Sequence, residues 1–218
     1  MKSAYWKGCI GLAFLLSLML AFGCATTGAP LFAKKADNPG PMPVDSTWVQ
    51  ERRDSGSYGS GTARITQKSL GERTWQGQKV WAYESPAGTL LFELPSMKWM
   101  TILKGTTQLV SYEPPIGFDY PLWIGRDWKT AHRITNHGTG KTTTVETRWN
   151  VEALEEITVP AGKFKVYRVT NTDPGNVSTH WWSPELGIFI KSKQQRNTEH
   201  AMGPGVREME LISYDIKK

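Results

Sequence analysis

Along most of this chain apolar and polar residues alternate with a period of two, in short runs broken by glycine or proline. Thr62–Thr66, Lys79–Tyr83, Thr89–Leu94, Trp99–Leu103 and Gln108–Tyr112 form a first series, with breaks at Gln76-Gly77, Pro86-Ala87-Gly88 and Lys104-Gly105. A second series runs through Thr130–Thr135, Thr142–Trp149, Glu156–Val159, Lys163–Thr170, Val177–Trp182, Ile188–Gln194 and Val206–Tyr214. Successive side chains of a strand point to opposite faces, so this alternation marks strands with one face toward a core. The spacing predicts an antiparallel meander of about ten to twelve strands, closing as a barrel or half-barrel. No window carries the 3.6-residue period of an amphipathic helix. Residues 47–218 are therefore expected to form one all-β domain.

Two interruptions shape that expectation. Glu113-Pro114-Pro115-Ile116-Gly117 separates the series, and because proline lacks an amide hydrogen no ladder is expected through it. The stretch after it holds Phe118, Tyr120, Trp123 and Trp128 and reads as the crossover between two halves of the sheet. Asp173-Pro174-Gly175-Asn176 is a strong turn signal. Trp75 precedes Pro86-Ala87-Gly88, and Trp149 precedes Pro160-Ala161-Gly162, by the same interval. Duplication of a β unit and shared turn chemistry both account for that recurrence.

The start of the chain has a different character. Lys2 and Lys7 lead into an apolar run from Ile10 to Phe22 that stops at Gly23-Cys24. The run is about 13 residues, short of the roughly 20 a spanning helix needs, and its charged, apolar and small-residue regions follow in the order of a secretory signal. Ala21-Phe22-Gly23-Cys24 resembles a bacterial lipobox, with Ala21 where leucine is more usual. That resemblance implies cleavage after Gly23 and acylation of Cys24, anchoring the protein to membrane through its lipid. By the sorting rule of double-membrane bacteria, Ala25 implies an outer-membrane anchor facing the periplasm. Residues 24–46, rich in proline and glycine and without apolar period, read as a flexible tether spanning roughly 25 Å.

Composition narrows the chemistry. The formal net charge is +6, and the signal carries two lysines and no acid, which leaves +4 (6 − 2) on residues 24–218. An excess this mild and dispersed is not a nucleic-acid footprint. The two cysteines are Cys9, inside the signal, and Cys24, so residues 25–218 offer no disulfide, thiolate metal site or cysteine nucleophile. His132 and His137 are five apart and face opposite sides of a strand. With His180 and His200 they show no zinc spacing, and all four are expected at the surface or in turns. Ser183 and Ser213 lack a nucleophile-elbow context. Glu185 stands alone in its turn, without the second carboxylate glycoside hydrolysis requires. No catalytic residue, metal site or cofactor is expected.

Three segments occur in order: Pro121-Leu122-Trp123-Ile124-Gly125-Arg126-Asp127-Trp128, Val159-Pro160-Ala161-Gly162-Lys163-Phe164, and Trp181-Trp182-Ser183-Pro184-Glu185-Leu186-Gly187. This pattern resembles a broad group of exported bacterial lipoproteins carrying a β-rich domain of unknown function. The resemblance implies a barrel-like fold and an exported or lipid-anchored location, and no activity. Tryptophan is the one enriched chemistry, with ten in all and nine in the domain. Trp81, Tyr83, Trp123, Trp128, Trp181 and Trp182 are the candidate ligand-binding residues, placed to stack on sugar rings or line an apolar pocket. The same indoles would also serve as core. The expectation is a non-enzymatic, lipid-anchored envelope protein binding an apolar or glycan ligand or an envelope partner. A structural lipoprotein that only docks to another envelope protein is the alternative, and a cell-wall hydrolase ranks last.

Overall fold

The structure, a computed structural model, describes residues 33–217. The signal segment, Cys24 and the first part of the tether lie outside the described residues.

Twelve antiparallel strands form a closed barrel in which each pairs with its sequence neighbours and the first pairs with the last. They are β1 (Thr47–Gly56), β2 (Gly61–Trp75), β3 (Gln78–Ser85), β4 (Gly88–Glu93), β5 (Trp99–Lys104), β6 (Thr107–Ile116), β7 (Asp127–Asn136), β8 (Lys141–Val159), β9 (Gly162–Asp173), β10 (Asn176–Trp182), β11 (Phe189–Arg196) and β12 (Gly205–Asp215). The all-β meander expected from the alternation is thus the observed architecture.

Two strands differ from the expectation in opposite senses. β1 was not anticipated, and β8 runs unbroken where two strands were read. The cause in β8 is a bulge. Val151 pairs with Val169 and Ala153 with Arg168, leaving Glu152 as the extra residue. The alternation changes phase there, which reads as a break. The proline segment also differs. β6 continues to Ile116, which pairs with Trp99, while Glu113 pairs with Arg133 and the two prolines between have no ladder partner. The strand survives because only the amide-dependent rungs are lost.

Following the register around the ring gives the inward face. Trp48, Gln50, Arg52 and Asp54 of β1 sit opposite Gln67, Ile65, Ala63 and Gly61 of β2. The same face carries Ser69, Tyr83 and Leu90, Tyr112 and Ile134, and Trp128 and Trp149. It closes through Asn171, Ser178, Gln194 and Arg207. The opposite face holds exposed charges, such as Arg53, Glu84, Arg133 and Glu146, and over β3–β5 a buried apolar cluster of Val80, Ala82, Leu91 and Leu103.

The two ends of the barrel are unlike. The connections after β1, β3, β5, β7, β9 and β11 lie at one end and most are short turns. At the other end lie the N-terminal segment and the connections after β2, β4, β6, β8 and β10. Ala36 and Leu122 exchange backbone hydrogen bonds of 2.9 and 2.8 Å, so the N-terminal segment pairs with the β6–β7 loop. That loop is tied to the β8 bulge by Gly125 N–H to Val151 C=O and Val151 N–H to Arg126 C=O, both 2.8 Å. The β8–β9 turn reaches across to β12, where Ala161 N–H meets Leu211 C=O at 3.2 Å.

Residues 34–46, read from composition as the distal tether, are docked on the barrel. The Tyr167 hydroxyl donates to Lys34 C=O at 2.9 Å, and Asn38 Nδ2 donates to Pro95 C=O at 2.9 Å. Met42 is buried, its N–H donating to the Tyr83 hydroxyl at 3.1 Å and its C=O accepting from Ser69 Oγ at 2.9 Å. Side-chain hydroxyls of the barrel thereby satisfy a backbone that forms no strand of its own. Burying one methionine side chain contributes about 2 kcal/mol.

Candidate functional site

The six candidate aromatics separate into three places. Trp81 and Tyr83 face inward from β3. Trp81 donates its indole N–H to Ser69 Oγ at 3.0 Å, and Tyr83 packs edge-on against Trp48 and Phe92 at 5.4 and 5.2 Å. Burial pushes the Tyr83 phenol up to about 12. Trp128 and Trp182 face inward on the far wall. Trp128 stacks on Trp149 with centroids 5.6 Å apart and rings 1° from parallel, while Trp182 lies 6.0 Å from Phe118 and 5.5 Å from Tyr120. Trp123, in the β6–β7 loop, is half-buried with the Arg126 guanidinium 4.6 Å over its ring. Trp181 faces outward, donating to Glu155 Oε1 at 2.8 Å. Trp81, Tyr83, Trp128 and Trp182 thus share the barrel interior without converging on one ring of contacts.

The interior they line is mixed. Gln50, Ser69, His132, Thr147, Asn171, Ser178, His180 and Ser192 are buried there, beside apolar residues such as Val151, Val169, Ile190 and Leu211; buried polar side chains are the less usual of the two. Six buried side-chain atoms have no hydrogen-bond partner among the described residues: Trp128 Nε1, Trp149 Nε1, His132 Nε2, His180 Nδ1, Asn171 Oδ1 and Asn176 Oδ1. Every one belongs to β7–β10, and the register puts them on the same inward face. Two indoles donate and two amide oxygens accept. His132 Nδ1 donates to Pro114 C=O at 2.9 Å, and its Nε2 is the ring nitrogen left without a partner. A buried polar group left unsatisfied costs about 1–3 kcal/mol. Groups the chain does not satisfy itself are met by water or by a polar ligand.

The two inward histidines depart from the surface positions expected of them. His132 is 2% exposed and His180 8%. His180 lies against Phe189 at 4.8 Å and Trp149 at 6.1 Å, and desolvation pushes its imidazole down to about 4. It is neutral at physiological pH.

Toward the end of short turns the inward face becomes charged. The Asp54 carboxylate accepts from Arg207 Nε and Nη2 at 2.7 and 3.0 Å and forms an ion pair with Arg52, whose Nε lies 3.0 Å away. Its side chain is 8% exposed, and the Arg207 hydrogen bond, opposed by burial, holds its carboxyl below the usual range. Tyr58, in the β1–β2 turn, has Arg196 at 3.7 Å and Arg207 at 4.5 Å from its ring centroid. Arg52 and Asp54 were missed because β1 has polar residues on both faces.

On the outside, a groove of about 260 Å³ runs between the N-terminal segment and the β6–β7 loop, with Asn38, Lys98, Phe118, Tyr120 and Arg126 in its walls. None of the six candidate aromatics lines it.

Several solved structures are similar to this chain. A protein described as a lipoprotein from Parabacteroides distasonis ATCC 8503 is 12% identical, with a TM-score of 0.43, covering 84% of this chain and 100% of that one. An exported protein with a YmcC-like fold from Bacteroides fragilis NCTC 9343 is 12% identical at a TM-score of 0.47, over 81% and 98% of the two chains. The lipoprotein YmcC from Escherichia coli (K12) is 14% identical at 0.41, over 79% and 88%. Likeness this remote carries no argument about function. No family model and no curated protein matches the chain.

Proposed function

We propose that this protein is a non-enzymatic, lipid-anchored component of the bacterial cell envelope whose barrel binds a glycan on its inward face. The observation that carries the reading is the row of buried, unpartnered donors and acceptors on β7–β10, set among Trp128, Trp149 and Trp182. Stacking rings beside amides, hydroxyls and indole N–H groups is chemistry suited to sugar hydroxyls. An apolar ligand fits less well, because it would leave those groups unsatisfied. The inward acid Asp54 is engaged by two guanidiniums and His180 is held neutral, a state suited to binding more than to proton transfer.

The anchor is Cys24, acylated after removal of residues 1–23, in an outer membrane with the barrel in the periplasm. Docking from Lys34 supports a short link. Ten residue steps from Cys24 reach at most about 35 Å, so the looped end faces the bilayer and the arginine-bearing end faces away from it.

Tryptophan fluorescence of the purified protein, titrated with peptidoglycan fragments and separately with fatty acids, tests the ligand. A saturable shift with glycan only is expected, and a shift with fatty acid only would refute it. For the anchor, radiolabelled palmitate should enter the parent chain and not Cys24→Ser, and the variant should leave the membrane fraction.

A further inference from the structure

We propose that the inward-facing arginines at the short-turn end of the barrel form an anion-binding subsite, taking a phosphate or carboxylate group carried by the glycan. This deepens the glycan reading above and rests on it for the nature of the carrier.

The argument begins with charge. Asp54 and Tyr58 gather three guanidiniums. Arg52 and Arg207 share the Asp54 carboxylate, and Arg196 and Arg207 share the Tyr58 ring. One buried carboxylate cannot neutralise three guanidiniums. Asp173 approaches the same end, where its Oδ1 accepts the Gly175 N–H at 2.9 Å. Counting it, cations still outnumber carboxylates by three to two. Like charges held this close repel unless an anion completes the set.

Hydrogen-bonding capacity points the same way. Each guanidinium carries five donors in a planar fork. Arg52 approaches Asp54 with Nε at 3.0 Å, and its guanidinium makes no hydrogen bond among the described residues. Arg196 reaches Ser57 C=O at 3.3 Å and Ser57 Oγ at 3.4 Å, both long, through Nη1. The aromatic face of Tyr58 holds Arg196 in place, and its Nε and Nη2 make no hydrogen bond among the described residues, which is pre-organisation for an oxyanion. A seam between β1 and β12 needs only the Asp54–Arg207 pair, directly opposite in register. Arg52 and Arg196 exceed that structural need.

The test uses the full mature protein in detergent micelles and titration calorimetry with inorganic phosphate, glucose 1-phosphate, glucuronate, glucose and a neutral N-acetylglucosamine oligomer. Arg196→Gln removes the cation whose contacts are confined to the β1–β2 turn, and Arg53→Gln, on the outward face, is the control. Phosphate or one of the two charged sugars should bind, with affinity reduced tenfold or more by Arg196→Gln, partly restored by Arg196→Lys and unchanged by Arg53→Gln. Which charged sugar responds tells phosphate from carboxylate. Charged and neutral sugars binding alike, or anion binding indifferent to Arg196→Gln with an unchanged melting temperature, would overturn the subsite and leave the glycan reading standing. Phosphate bound through Arg196 with no sugar bound would do the reverse.

Discussion

Acid should weaken this barrel through one imidazole. His180 is enclosed by Phe189 and Trp149, and desolvation alone moves it from 6.5 to about 4. The folded state therefore refuses a proton that the unfolded chain accepts below pH 6.5. Its contribution to stability is complete above pH 6.5 and is lost as the pH falls toward 4. Across that gap of about 2.5 units, at 1.36 kcal/mol per unit, the loss is about 3 kcal/mol. In a domain of this size each kcal/mol moves the melting temperature by about 2–4 °C, so the expected fall is about 6–12 °C.

The variant that isolates the effect is His180→Phe, which keeps a ring against Trp149 and Phe189 and removes the unpartnered Nδ1. Circular dichroism melts at pH 7.5 and 4.5 give the difference for each protein. Carboxylates, Asp54 among them, contribute equally to both and cancel. The parent should lose the extra 6–12 °C and the variant should not. Parallel profiles would refute the reasoning, since they would mean that His180 meets enough water inside the barrel to take its proton there.

Three further outcomes follow from the packing. Ser69→Ala strands the Trp81 indole N–H and releases Met42 C=O, and urea denaturation should show a loss of about 2 kcal/mol. Gly88→Ala places a Cβ 2.1 Å from Leu103 C=O at a φ of +128°, so about 3 kcal/mol or more should be lost by the same measurement, or the chain should fail to fold. Limited digestion by a broad-specificity protease should spare Asn38–Ser46; a stable fragment beginning near Thr47 would show that those residues are not docked.

What the chain's pattern reveals and what it hides follow from one physical fact, the mixture of apolar and polar residues in the interior. Where inward residues are apolar and their neighbours polar, as at Tyr167 and Val169 against Arg168 and Thr170 in β9, alternation is plain and the strand is legible. In β1 the inward row is Trp48, Gln50, Arg52 and Asp54 and the outward row includes Glu51 and Arg53. Both rows are polar over most of the strand, the period vanishes, and the strand goes unread together with the charged groups it carries. The same blindness put His132 and His180 on the surface, because a histidine between polar neighbours looks solvated until the register turns it inward. Trp128 and Trp182, candidates from composition, lie on the wall that holds the unpartnered polar atoms, while Trp123 and Trp181 lie away from it. Composition alone misjudged residues 34–46 for a related reason: a segment without apolar period looks free, yet hydroxyls at Ser69, Tyr83 and Tyr167, distant in sequence, take up its backbone groups. Where a barrel's inward row is polar, hydrogen-bond satisfaction carries the information that hydrophobic periodicity carries elsewhere, and that satisfaction depends on cross-strand register.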